Sequence, residues 1–369
     1  MVTGGIQAGG ESAAASLSGS LADRLAGDPR SVGRISRPET VGATADWPEW
    51  LDPDVRRAYE QVGIRAPWEH QRRTADLAWS GTHVLVATGT ASGKSAAFGM
   101  PALTAALTEP ERIGRRGPTV LYLSPTKALA HDQLAGLTSL GLSGLRAAAV
   151  DGDTPDEQRS WARAHGRWIV TNPDMLHHAI LPRNETWRGF LRSLRFVIVD
   201  EAHTYRGVFG SHVALVLRRL RRVAALHGAA PTFIGASATM ADPGPTAARL
   251  LGVPAEVVDR DTSARGAVDI VLWNPQGVGT LPGPTDPAAG APAPTGSDPP
   301  EVDLPIPGFR GTLAEAADLM VAMVDRGTTT LAFARSRRAV EILAGTVRDT
   351  AVNGDRVRAY RGGYLPEER

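Results

Sequence analysis

The chain has 369 residues, 42% hydrophobic and 21% charged, with a mean hydropathy of −0.15, which suits two globular domains with ordinary cores rather than a lone small module. No apolar run approaches the roughly 20 residues of a membrane span, and Met1 to Ser20 lack the basic-then-apolar pattern of a secretory signal. A formal net charge of +1 excludes a global basic field, so any polyanion site is local, and zero cysteines remove disulfides, thiolate metal sites and cysteine nucleophiles while fitting a reducing, cytoplasmic setting.

Residues 1–46 are rich in Gly, Ala and Ser with little hydrophobic periodicity, which predicts a disordered leader with one short helix near Leu21–Leu25. From 47 to 272 short apolar runs alternate with longer helical patterns, the mark of right-handed βαβ crossovers and of an α/β fold with a parallel sheet flanked by helices. The runs are His83–Ala87, Thr119–Leu123, Arg146–Val150, Trp168–Thr171, Phe196–Val199 and Thr232–Ala236, each ending in a polar or small-residue loop. Between Pro275 and Pro307 ten of the 27 prolines fall among five glycines, so 273–308 reads as a linker or surface insertion. Beyond it, Leu313–Val324 and Arg337–Val347 read as helices and Thr329–Ala334 and Val357–Tyr360 as strands, the opening of a second, incomplete α/β domain over 309–369.

In open α/β sheets ligands bind beyond the carboxyl ends of the strands, so the loops there carry the chemistry. The first run leads into Thr88-Gly89-Thr90-Ala91-Ser92-Gly93-Lys94-Ser95 and then a helical pattern. Small residues in such a turn let backbone N–H groups close around phosphate oxygens; Lys94 reaches the β- and γ-phosphates and the Ser95 hydroxyl holds Mg²⁺. Thr88 stands where Gly or Ala is usual. A second buried run, Phe196–Val199, delivers Asp200-Glu201-Ala202-His203. Asp200 is placed to complete the Mg²⁺ shell through water, and Glu201 to orient and deprotonate the water that attacks the γ-phosphate. Only two of the forty basic residues are lysines, Lys94 and Lys127, and both fall in strand-end loops.

With Ser237-Ala238-Thr239, these segments resemble motifs I, II and III of superfamily 2 helicases, in order and spacing. Gln71 resembles the upstream glutamine that reads adenine there, Ser124-Pro125-Thr126-Lys127 resembles motif Ia, and Thr171-Asn172-Pro173-Asp174 resembles motif Ib. The words between the motifs, Gly152-Asp153-Thr154-Pro155, Tyr205–Val213 and Thr262-Ser263-Ala264-Arg265-Gly266, are similar to the bacterial YprA-like helicases, also called mitomycin repair factor A, related to the Hrq-type DNA helicases. The resemblance implies a RecA-like (P-loop NTPase) first domain and an ATP-driven, 3′-to-5′ translocase on single-stranded DNA with a role in DNA repair. It implies that Thr126, Lys127, Thr171 and Pro173 lie along the nucleic-acid strand, and that His203, Ser237 and Thr239 couple the strand to the cleft. Residues Thr330–Glu341 resemble motif IV, and Tyr360-Arg361-Gly362-Gly363-Tyr364 the next short motif; motifs V and VI, with the arginine finger, are not reached. Such a finger is worth about 10³ to 10⁵ in rate, so the chain alone is expected to bind ATP better than it turns it over.

The adjacent His177-His178 lack a third partner at metal spacing, and Arg218-Arg219-Leu220-Arg221-Arg222 reads as the solvated face of a helix that buries Val213, Leu217 and Leu220. Three functional readings remain: an ATP-dependent DNA helicase, a non-catalytic module that binds nucleotide and DNA, and an RNA helicase, since motifs that hold the sugar-phosphate backbone do not by themselves read the 2′-OH.

Overall fold

The computed structural model describes residues 22–108, 116–275 and 311–360, in two units: Glu39–Gly266, and Met1–Pro38 together with Ala267–Arg369. In chain order the main elements are β1 (Ser31–Arg37), α1 (Pro53–Gln61), α2 (Glu69–Trp79), β2 (Val84–Ala87), α3 (Lys94–Thr108), β3 (Thr119–Leu123), α4 (Lys127–Ser139), β4 (Ala147–Ala149), α5 (Asp156–His165), β5 (Trp168–Thr171), β6 (Leu194–Val199), α6 (Gly207–Leu226), β7 (Thr232–Ser237), α7 (Pro243–Leu251), β8 (Glu256–Val258), β9 (Val268–Trp273), α8 (Thr312–Val324) and α9 (Arg337–Thr350).

The larger unit is built on a seven-stranded sheet in the order β4-β5-β3-β6-β7-β2-β8, with every pair parallel. Successive side chains of a strand face opposite sides, and here both sides are dry. Leu85, Leu121, Ile169, Val197 and Phe233 join one core with Leu217 and Leu220 of α6. Val84, Val86, Val120, Trp168, Ile198 and Ile234 join the other with Phe98, Met100 and Leu103 of α3. This two-sided burial explains why β2, β3 and β5 read as unbroken apolar runs rather than alternating ones. The parallel α/β architecture with flanking helices is the one expected from the sequence.

In the smaller unit β1 pairs antiparallel with β9. Composition alone puts residues 31–37 inside a disordered leader; the strand forms because Val268–Trp273 supplies its backbone partners and Asp269 ties it, accepting from Arg34 at 2.9 Å and from Ser36. Its sequence, SVGRISR, remains largely exposed and therefore offers no hydrophobic run to read. A helical turn occupies 22–26, near the short helix expected there, and Leu21 lies outside the described residues. Helices α8 and α9 pack through Ala317, Leu343, Ala344 and Val347. The expected strands Thr329–Ala334 and Val357–Tyr360 do not form: no described residue pairs with either, and Leu331 and Phe333 stand exposed. A strand is defined by a neighbour, and an apolar run without one stays irregular. The Pro-rich residues 276–310 and Arg361–Tyr364 lie outside the described residues.

Phe233 is fully buried in the sheet. Its truncation in Phe233→Ala is expected to cost the larger unit about 3–5 kcal/mol, read as a lower denaturant midpoint at unchanged slope.

Candidate functional site

Parallel pairing sets the strand ends side by side. Leu123 is in register with Thr171 and with Val199, Val199 with Gly235, and Ala87 with Ser237. The loops after β5, β3, β6, β7 and β2 therefore emerge in that order along one edge, carrying the sequence segments at 171–174, 124–127, 200–203, 237–239 and 88–95.

The loop after β2 is tightly folded. Thr88, buried, shares a hydrogen bond with Ser92 at 2.7 Å between hydroxyls. Ala91 has φ +59° and Gly93 φ +75°, so the chain winds back on itself before α3 begins at Lys94. Lys94 Nζ donates to the carbonyls of Thr88 (3.2 Å) and Gly89 (2.8 Å), while Thr90, Ala91 and Ser95 face solvent. Burial lowers the Lys94 pKa, and the carboxylates of Glu201, Asp200 and Asp261 act against that. The ammonium thus sits in the field of the acidic loop after β6.

There Asp200 is 9% exposed and both carboxylate oxygens are engaged. Oδ1 accepts from the Glu201 N–H at 2.8 Å and Oδ2 from the Tyr122 hydroxyl. Burial raises the Asp200 pKa, with the Glu201 charge adding to it and the bonds from Tyr122 and Glu201 N opposing. Glu201 itself adopts φ +50°, turning its side chain, about one-third exposed, off the strand axis. His203 Nδ1 lies 3.2 Å from Glu201 Oε2 and 3.3 Å from the Ala238 N–H, between the acidic loop and the loop after β7. One proton on Nδ1 serves the carboxylate and its absence serves the amide, so the imidazole can satisfy only one neighbour at a time. Ser237 is fully buried and its hydroxyl has no hydrogen-bond partner among the described residues; Thr239 is exposed.

Gln71 comes from α2. Its Oε1 accepts from Trp68 N at 2.9 Å, and its Nε2 donates to the carbonyls of Ser92 (3.2 Å) and Gly93 (2.9 Å), so it braces the phosphate-type loop from behind. A side chain at position 93 would strike this amide, which with the positive φ leaves only glycine there. The neighbouring His70, 2% exposed, braces the same loop. Its Nε2 contacts the Ser92 carbonyl at 3.1 Å and its Nδ1 takes the Thr262 N–H. A carbonyl can only accept and an amide can only donate, which assigns the proton to Nε2. Burial lowers the His70 pKa and so favours the neutral ring that this arrangement uses. A cleft of about 790 Å³ opens beside the loop, lined by Tyr59, Trp68, Gln71, Gly93, Ser95 and Phe98 among others.

The remaining sequence candidates lie on the other half of the edge. Thr126 caps α4 by accepting from Leu129 N, and Lys127 begins the helix with its Nζ 2.6 Å from Asp153. Thr171 and Pro173 are buried; the Thr171 hydroxyl donates to the Val150 carbonyl at 2.6 Å. Their side chains hold the loop rather than face outward, and the exposed residue of that loop is Asp174. Of the arginine run on α6, Arg218, Arg219 and Arg221 donate to carbonyls of neighbouring segments while Val213, Leu217 and Leu220 are buried. No group of three metal-binding side chains occurs among the described residues, and no described helix is long and apolar enough to cross a membrane.

The sequence model of the DEAD/DEAH box helicase family matches residues 68–246. The chain is 35% identical, over 88% of its length, to the ATP-dependent helicase YprA of Bacillus subtilis (strain 168), and 33% identical, over 85%, to the ATP-dependent helicase hrq1 of Schizosaccharomyces pombe. The crystal structure of the DUF1998 helicase MrfA bound to DNA and AMPPNP matches 95% of the chain with a TM-score of 0.81 at 32% identity. This chain carries a DEAD/DEAH box helicase domain over residues 68–246. Its likeness to YprA, Hrq1 and MrfA puts it in the YprA-like branch of such helicases. It spans 40% of YprA, 28% of hrq1 and 45% of MrfA, less than half of each.

Within this chain, the matched span contains Gln71, Lys94, Asp200, Glu201 and Ser237, but three structural partners of the site are not legible as such. Tyr122 lies inside a β-strand and reads as core. His70 reads as a neighbour of Gln71, and its partner Thr262 is 192 positions away. Only the repeated appearance of polar residues in otherwise apolar or small-residue contexts marks them in the sequence.

His70 gives a pH signature. Its unfolded form protonates near 6.5, its folded form below that, so between the two values the unfolded chain holds more protons. The stabilisation is complete above about pH 6.5 and is lost as pH falls through the folded value. The melting temperature is expected to drop between about pH 7.5 and about pH 5.5, and to drop less in His70→Asn, which cannot titrate.

Proposed function

We propose that this chain is the ATP-binding motor portion of an ATP-dependent DNA helicase or translocase. The observation that carries the reading is the convergence, on one strand-end edge, of a lysine-bearing phosphate loop and the Asp200–Glu201 pair, with the Lys94 ammonium in the field of both carboxylates. The ATP-binding role is assigned to residues 47–272, a linker role to 273–308, and part of a second RecA-like domain to 309–369. The choice of DNA over RNA rests on the likeness to MrfA, solved with DNA.

The triphosphate is received by the N–H groups of Thr90 to Ser95 at the start of α3, where the helix dipole favours anions. Lys94 turns from the loop carbonyls to the β- and γ-phosphates, and the aromatic walls of the adjoining cleft, Tyr59 and Trp68, accept the base beside Gln71. The Ser95 hydroxyl and the Asp200 carboxylate form a hard, all-oxygen donor set, held in place on the Asp200 side by Tyr122, and so fit Mg²⁺. When bound, the ion supplies charge neutralisation at the β- and γ-phosphates. Glu201, reachable from solvent, takes the proton of the attacking water. His203 then reports the state of Glu201 to Ala238, and through that loop Ser237 and Thr239 follow the cleft. On the other half of the edge, the N-terminus of α4 with Thr126 and Lys127 meets strand phosphate, which displaces Asp153 from Lys127, and the loop held by Thr171 and Pro173 continues the track through its backbone.

Lys94→Ala is expected to abolish ATP binding. Glu201→Gln is expected to keep binding within about threefold and to lower turnover by at least about 100-fold, measured as steady-state ATPase with and without single-stranded DNA. Failure of the unaltered chain to bind ATP would overturn the motor reading. Tighter binding of single-stranded RNA than DNA in competition would move it to the RNA helicases.

A further inference from the structure

The segment after β8 lies outside the residues that the family model matches, yet it crosses the phosphate loop. Its backbone is pinned on both sides: Thr40 and Arg265 exchange N–H···O bonds of 2.8 and 3.0 Å, and Ala43 N donates to Thr262 O at 2.9 Å. Between these anchors Asp261 is aimed at the loop. Its Oδ2 accepts from the Gly89 N–H at 3.2 Å and from the Arg265 guanidinium, and its Oδ1 accepts from the Ser263 N–H (2.9 Å) and hydroxyl (2.6 Å).

Arg265 lies directly against the loop. A Cβ on Gly89 would collide with its Nη2, and Cζ would be 3.1 Å away, so the absence of a side chain at 89 makes room for the guanidinium. Lys94 reaches the same residue from the opposite side, donating to the Gly89 carbonyl at 2.8 Å. Two cations therefore flank Gly89, one on its carbonyl and one near its N–H, with a single carboxylate between Arg265 and the loop. Asp261 occupies the place of an anion: it takes one loop N–H and one guanidinium, the two kinds of donor that a phosphate oxygen takes. The Arg265 side chain is 47% exposed, which leaves it free to turn while its backbone stays fixed.

We propose that Arg265 is a phosphate-contacting residue of the nucleotide site, paired with Asp261 when the loop is empty and transferred to the terminal phosphate of a bound nucleoside triphosphate. A dianionic γ-phosphate outcompetes the singly charged carboxylate for the planar guanidinium fork. A nucleoside diphosphate lacks that group, so Arg265 confers preference for triphosphate. The inference rests on the nucleotide-binding reading given above and adds to it a specificity-determining side chain.

The test is equilibrium binding of ATP and of ADP, each with Mg²⁺, to the unaltered chain, Arg265→Ala, Arg265→Lys and Asp261→Asn, with thermal melts to establish folding. Arg265→Ala is expected to weaken ATP binding by roughly tenfold or more and ADP binding by less than about threefold, with Arg265→Lys between. Asp261→Asn, which loosens the hold on Arg265, is expected to bind ATP a few-fold more tightly. Equal losses for both nucleotides in Arg265→Ala would mean that the arginine only tethers the segment and would overturn the proposal, as would no loss for either. A fall in ATP affinity in Asp261→Asn as deep as that of Arg265→Ala would overturn the exchange. Failure of the unaltered chain to bind either nucleotide would sink the nucleotide reading itself, a result distinct from all of these.

Discussion

Register in a parallel sheet is the constraint on which the site depends. Because β5, β3, β6, β7 and β2 run the same way and are paired residue for residue, their carboxyl ends form one line, and segments up to about 150 positions apart become neighbours. The same geometry divides the labour. Phosphate loop, acidic loop and the Ser237 loop come from β2, β6 and β7, while Lys127 and the Thr171 loop come from β3 and β5. Strand β6 is the member of the first group that borders the second, with β3 on one side and β7 on the other. The acidic loop that follows it therefore adjoins the loop after β3 as well as the loop after β7, and it carries His203 against Ala238.

The phosphate loop is held less by its own bonds than by what surrounds it. Gln71 and His70 both bond the Ser92 carbonyl, Thr262 holds His70, and Asp261 holds Gly89. These are neutral or charge-balanced contacts in a largely buried setting, where an unpaired polar group costs about 1–3 kcal/mol. The network is satisfied around the ring of His70 only in one tautomer and one charge state, which binds the shape of the loop to the segment after β8. That dependence also explains why the small edge strand β8 matters: it pairs with β2 and delivers residues 259–266 to the loop.

The strands of the sheet are readable because burial on both faces demands unbroken apolar runs, and Val84–Ala87, Thr119–Leu123 and Trp168–Thr171 have no other use for such composition. Lys94, Asp200 and Glu201 are readable because each sits in a short polar loop directly after a buried apolar run, and parallel register then brings those loops to one edge. What escapes reading is set by partners distant in sequence. Ser31–Arg37 is a strand only through Val268–Trp273, and Val357–Tyr360 is apolar enough for a strand but has no described neighbour to pair with. Resemblance assigns Thr171 and Pro173 to the nucleic-acid strand, yet a hydroxyl at a strand end is equally suited to bond the adjacent strand, and Val150 takes it.

Among the described residues two non-glycines have positive φ, Ala91 in the loop after β2 and Glu201 in the acidic loop. An L-residue in that region costs about 1–2 kcal/mol. At Ala91 the turn brings the N–H groups that follow it to the head of α3; a glycine would adopt the same φ without strain but with more freedom to lose on folding. At Glu201 the turn ends β6 abruptly, so that Asp200 remains under Tyr122 while the next side chain swings out toward solvent and His203. A relaxed strand would alternate the two carboxylates across the sheet, and only one would face the loop after β2. The strained φ is what turns two consecutive acids to the same side, one buried and anchored by hydrogen bonds, the other about one-third exposed beside His203.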